Sequence, residues 1–158
     1  MRMTFRSFAF AVLSFALLVP AADAAAPRHL PVETVAIATH GGLRSFRMEI
    51  AADDASRATG LMHRTHLAPN AGMLFDFQKP LMAAFWMKDT PLPLDMLFVR
   101  ADGTISTIAA NAVPFSTAEI ASAEPIRVVI EINGGLARTL GIAPGDRVRA
   151  PMFPARKP

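Results

Sequence analysis

Alternation is the strongest pattern along this chain. In Arg44–Ala51, Phe46, Met48 and Ile50 fall on one side and Ser45, Arg47 and Glu49 on the other. A repeat of two marks a half-buried strand. Thr34–Thr39 repeats it more weakly through Val35 and Ile37, and His40-Gly41-Gly42 supplies a turn between the two. A β-hairpin is predicted. Met73, Phe75 and Phe77 share one side of a third strand. Ile126–Ile132 places Ile126, Val128, Ile130 and Ile132 inward and Arg127 and Glu131 outward. Met82–Met87 and Leu94–Val99 are apolar on both faces, as in strands covered on both sides.

The breaks between these segments are equally informative. Asp53 or Asp54 can cap a short helix reaching about Met62, with Ala55, Ala58, Leu61 and Met62 as its apolar stripe. Leu67–Gly72 reads as a loop, Lys79-Pro80 as a turn, and Pro91 and Pro93 interrupt any ladder around them. Ala101-Asp102-Gly103 is a hairpin signal, because Asp-Gly tolerates the positive φ of a tight turn. Thr104–Ala110 returns as a strand, and residues 111–124 form a long connection. Asn133-Gly134-Gly135 opens a second short helix that Gly141 ends, and Arg147–Ala150 closes the sheet. About eight strands and two helices result, without strand–helix alternation. The expected fold is α+β, mainly β: a compact antiparallel, curled, barrel-like sheet with two short helices. Residues 34–150 form its single domain, 25–33 a loose arm and 151–158 a flexible tail.

The first 24 residues follow a different logic. Arg2 and Arg6 precede an uncharged run, Phe8–Val19, and Ala22-Asp23-Ala24 offers small residues for cleavage. This is a secretory signal pattern, and the run is too short for a membrane span. An exported protein, periplasmic or secreted, is expected, with no anchor after cleavage. Composition narrows the chemistry. The 158 residues include no Cys, which excludes disulfides, thiolate metal sites and a Cys nucleophile. A net charge of +3 gives no footprint for nucleic acid.

Several blocks together resemble a known family. Gly60-Leu61-Met62-His63-Arg64, Gly72-Met73-Leu74-Phe75, Trp86-Met87-Lys88-Asp89-Thr90 and Pro93-Leu94-Asp95-Met96-Leu97-Phe98 look like the domain-of-unknown-function 192 family. Glu131-Ile132-Asn133-Gly134-Gly135 and Gly141-Ile142-Ala143-Pro144-Gly145-Asp146 extend the likeness to the C-terminal half. Asp89 departs from the family pattern, which often carries Asn there. The resemblance implies a small, β-rich, often exported domain and brings no reaction or catalytic residues with it.

Function must therefore come from the residues. Asp95 sits in an apolar strand and needs a partner, since an isolated buried charge costs many kcal/mol. Lys88, Arg64 or loop amides are the predicted partners. In the plainer alternative, Asp95 only pins the Thr90–Pro93 loop. Trp86-Met87-Lys88-Asp89-Thr90 joins the only Trp to a charged pair and a hydroxyl, as a small-ligand pocket would. The alternative is a core Trp beside a surface ion pair. The expected lining is Arg64, Trp86, Lys88, Asp89, Thr90 and Asp95. The favoured reading is a binding or interaction module for a small polar ligand or an envelope protein or peptide. No nucleic acid, cofactor or metal is expected. A second reading is an envelope hydrolase or lyase, with Asp95 or Asp89 as acid/base and Lys88 or Arg64 stabilising charge. A third is copper binding through Met residues and His63 and His66, against the plainer reading that the Met side chains pack in the core. The amides at Asn133-Gly134-Gly135 could also hold an anion, but turn chemistry is the favoured reading, because no Lys or Ser/Thr follows in a phosphate-cradling pattern.

Overall fold

The computed structural model describes residues 29–153. The signal-like segment lies outside them. Nine strands and two short helices occur among the described residues, in the order β1 (Val32–Thr39), β2 (Gly42–Ala51), α1 (Asp54–Thr59), β3 (Ala71–Leu81), β4 (Ala84–Phe85), β5 (Leu94–Val99), β6 (Ile105–Ala112), β7 (Ile120–Ala121), β8 (Ile126–Asn133), α2 (Leu136–Leu140) and β9 (Arg147–Arg149). Seven strands make one sheet ordered β6-β5-β8-β3-β2-β1-β9, while β4 and β7 form a separate ribbon. The fold is mainly β, as the alternation implied.

Pairing is antiparallel except between β2 and β3, which run parallel. A parallel pair needs a crossover, and residues 52–70 with α1 supply it. The sheet curls until its ends meet. Thr104 bridges Arg147, Ile105 N–H donates to the Asp146 carbonyl at 2.8 Å, and Val148 N–H donates to the Gly103 carbonyl at 2.8 Å. Arg147–Ala150 was expected to close the sheet, and this contact is how it does so.

Alternation divides the apolar residues between two faces. The inner face collects Val35, Ile37, Phe46, Met48, Leu97 and Ile130 into one core. The outer face of β3, β5 and β8 carries Met73, Phe75, Met96, Phe98 and Val129, covered by Leu61, Ala83 and Met87. The middle strands are thus buried on both sides, and all six residues of β5 are buried. Gly72 is required where β3 and β8 pass: a Cβ there would fall 2.4 Å from the Glu131 carbonyl oxygen.

Several local expectations change. Lys79-Pro80 does not turn the chain; β3 continues to Leu81 through a register shift after Asp76. Met82–Met87 is not buried throughout, since Met82 and Trp86 are more than half exposed. β1 begins at Val32, inside the stretch read as an arm. Phe153, inside the stretch read as a tail, is buried in the inner core.

Candidate functional site

Asp95 is fully buried and faces the inner side of β5. Its carboxylate takes neither Lys88 nor Arg64. Instead Asn111 N–H and Gly135 N–H donate to Oδ1 at 2.8 and 2.9 Å, and Ala137 N–H donates to Oδ2 at 2.8 Å. Three charge-assisted bonds to backbone satisfy the group. Gly135, at the N-terminus of α2, has no side chain with which to cap it. Asp95 caps that helix from another strand. Loop amides were among the predicted partners, but they belong to residues 111 and 135–137 rather than to Thr90–Pro93. The anion reading of Asn133-Gly134-Gly135 is corrected by the same contacts. The Gly135 amide is taken by Asp95, and the Gly134 amide donates to the Pro93 carbonyl.

Arg64 is also engaged elsewhere. Its guanidinium grips Glu49 in two parallel bonds of 2.5 and 2.6 Å, and this pairing raises its pKa. The Asp89 carbonyl accepts from His63 N–H at 2.7 Å. Arg64 and Asp95 therefore do not assemble a catalytic pair with Lys88 or Asp89. The methionines divide between the faces: Met48 lies in the inner core and Met73, Met87 and Met96 in the outer one, while His63 and His66 are exposed. Among the described residues no group of three or more His, Asp or Glu side chains could hold a metal ion.

Trp86 and Thr90 do meet at a site. They line a cleft of about 410 Å³ on the outer face, between α1 and the 81–90 segment. Phe75, Phe77, Leu81 and Phe85 give it an apolar lining, joined by Gly60, Leu61 and Met62 from the turn after α1. Phe85 holds the lining together through edge-on contacts to Phe75, Phe77 and Phe98, with centroids 5.1–6.3 Å apart. Met82 and Trp86 are exposed as well as lining the cleft. Lys88 lies outside the lining, its ammonium 5.5 Å from the Trp86 ring centre. Arg57 of α1 lines the cleft, 5.6 Å from the Phe77 ring centre. Three of its five N–H groups are engaged: Nη1 bonds the Ala52 and Asp76 carbonyls, and Nη2 pairs with Asp54.

Two ionisable residues of this cleft, Arg57 and Glu131, were missed, and Glu131 is the more telling. Glu131 lines it and is only 4% exposed. The strand pattern placed Glu131 outward, and it does point to the outer face, but that face is covered. Its neighbours across the ladder are Met73 on β3 and Met96 on β5. No side chain or amide among the described residues bonds its carboxyl group. Burial alone pushes its pKa up from 4.5 to about 8, leaving the carboxyl neutral at pH 7. The available clue was an acid among Val128, Val129, Ile130 and Ile132, in a strand apolar on both faces.

A curled β-domain with an apolar cleft over a single neutral acid is the class that the geometry defines. The chain belongs to the domain-of-unknown-function 192 family, described as "Uncharacterized ACR", whose profile matches residues 35–150. Two solved structures are similar. A Sinorhizobium meliloti 1021 protein, provisionally labelled a transcription regulator, is 44% identical with a TM-score of 0.79, covering 81% of this chain and 100% of its own. A Novosphingobium aromaticivorans DSM 12444 protein of unknown function is 45% identical with a TM-score of 0.76, covering 83% and 94%. No curated protein matches the chain.

Proposed function

We propose that this protein is a binding module that works after export, and that its outer-face cleft holds the apolar part of a small ligand. The ligand's polar end meets Glu131. The observation that carries this reading is Glu131 itself: a buried acid without a hydrogen-bond partner among the described residues, lining a cavity of ligand-binding size. A structural acid would be satisfied internally, as Asp95 is. Thr90, 5% exposed, adds a hydroxyl to the same lining, and Trp86 offers a ring at the mouth. The ligand is thus less polar than the residue types of the Trp86–Asp95 segment suggested. Export rests on the sequence pattern of residues 1–24.

The transcription-regulator label of the Sinorhizobium relative lends no support to a nucleic-acid role here. The helices among the described residues have six and five residues, too short to read a groove in the manner of a recognition helix. A thermal-shift screen with small aromatic and branched aliphatic compounds tests the binding reading. A ligand at about one hundred times its Kd stabilises by about 2.7 kcal/mol, a shift of several degrees. The shift should disappear in Trp86→Ala. A screen with no shift from any compound overturns the reading.

A further inference from the structure

We propose that the cleft recognises an ammonium group on an apolar stem, with Glu131 releasing its proton to solvent and pairing with the ligand as a carboxylate. The inference rests on the binding reading and names the ligand's polar end.

Three observations carry it. The first is that the cation of the lining is already committed. Among the described residues Arg57 is the cationic side chain of the lining; its Nη1 bonds the Ala52 and Asp76 carbonyls and its Nη2 pairs with Asp54. An anionic ligand would compete with Asp54 for that guanidinium and would face Glu131 as well.

The second is the character of the walls. Aromatic rings present negative faces to cations. Two rings of this cleft already attract the protein's own charges, Arg57 at Phe77 and Lys88 at Trp86. Ring faces with a nearby carboxyl group suit an ammonium ion better than a neutral alcohol.

The third is the surroundings of Glu131. β3 and β5 present Met73 and Met96 to it across the ladder. The turn after α1 lines the cleft with Gly60, Leu61 and Met62, and the 81–90 segment with Thr90 and uncharged apolar groups. Arg57, paired with Asp54, is the other ionisable group in the lining. Lys88 is outside the lining, its ammonium 5.5 Å from the Trp86 ring centre, and Asp95 points to the opposite face. Nothing built into the site therefore holds Glu131 ionised, and an arriving cation supplies the missing charge. The proton balance is simple. The neutral acid loses one proton to the buffer, and the ammonium keeps its own.

Titration calorimetry with 2-phenylethylamine and 2-phenylethanol on the purified protein tests this. At pH 7 the amine should bind with release of about one proton, read from the dependence of heat on buffer ionisation enthalpy. Its affinity should rise nearly tenfold per pH unit between pH 6 and 7.5, while the group is mostly protonated. Glu131→Gln should abolish the proton release and weaken the amine at least tenfold while sparing the alcohol. Should the Gln variant not fold, Glu131→Asp keeps the acid and should still release a proton on weaker binding. If the alcohol binds as tightly as the amine and no proton is released, the ammonium inference is overturned while the binding reading stands. If neither compound binds at millimolar concentration, both fall.

Discussion

β5 and β8 lie side by side, and each carries a buried acid facing a different side of the sheet. Asp95 pairs across the ladder with Ile132 of the inner core, and Glu131 pairs with Met96 of the outer one. The inner acid accepts three backbone amides and ties β5 to the β6 end and to α2. The outer acid accepts none from the described residues and faces a cavity. Burial is almost the same for both, so it does not separate their roles. Hydrogen bonding does: an acid with its acceptors filled is part of the frame, and one left unfilled in a cleft is available to a ligand.

The largest expected effect comes from breaking the inner half of this contrast. Asp95→Ala leaves three amides without their acceptor and removes the cap of α2. A loss of roughly 3–5 kcal/mol is expected from urea unfolding, as the sum of unsatisfied buried donors. A variant as stable as the parent would show that Asp95 is not the frame element described here.

Glu131 should act in the opposite sense, and only above acidic pH. Its pKa is raised on folding, so the unfolded chain ionises first. Stability is then full below about pH 4.5 and is lost as pH rises towards 8. Unfolding free energy measured from pH 5 to 9 should fall by about 3 kcal/mol at this site, the full shift being reduced by hydration through the cleft mouth. Glu131→Gln should remove that slope. An unchanged slope in the variant would mean that another group titrates.

Smaller effects sharpen the same division. Trp86→Ala removes an exposed ring, so it should cost less than about 1 kcal/mol of stability and yet abolish ligand-induced stabilisation. Arg64→Ala breaks a partly exposed pair with Glu49, which is worth about 0.5–1 kcal/mol, and should leave cleft binding unchanged. Thermal unfolding with and without ligand checks both. A binding loss in Arg64→Ala would reconnect the two regions that the structure separates.

Much of the frame was legible in the sequence. Alternation identified β2 and most of β8, but Ile126, read as inward, packs in the outer core beyond the register shift of β3; Gly141, at φ +68°, ends α2 as its position after the apolar run implied. Asp53 caps α1 through Ser56 N–H at 2.9 Å, a local bond that sequence neighbours fix between themselves. Asp95 was conspicuous because an acid in a run apolar on both faces must be satisfied somewhere. Trp86 and Thr90, close in sequence, line the same cleft.

Long-range closure decided the rest. A period of two says which side of a strand a residue faces, and it does not say whether that side meets water or a second layer. Glu131 faced outward as read, but the 52–70 crossover and the 81–90 segment cover that side of β8, turning a solvent-facing acid into a desolvated one. The amides that hold Asp95 come from Asn111, Gly135 and Ala137, brought together only when β6 and β8 have flanked β5. Local sequence carries strand, turn and cap, because those depend on neighbours a few residues apart. The partners and the exposure of a buried charge depend on which distant segments fold over it.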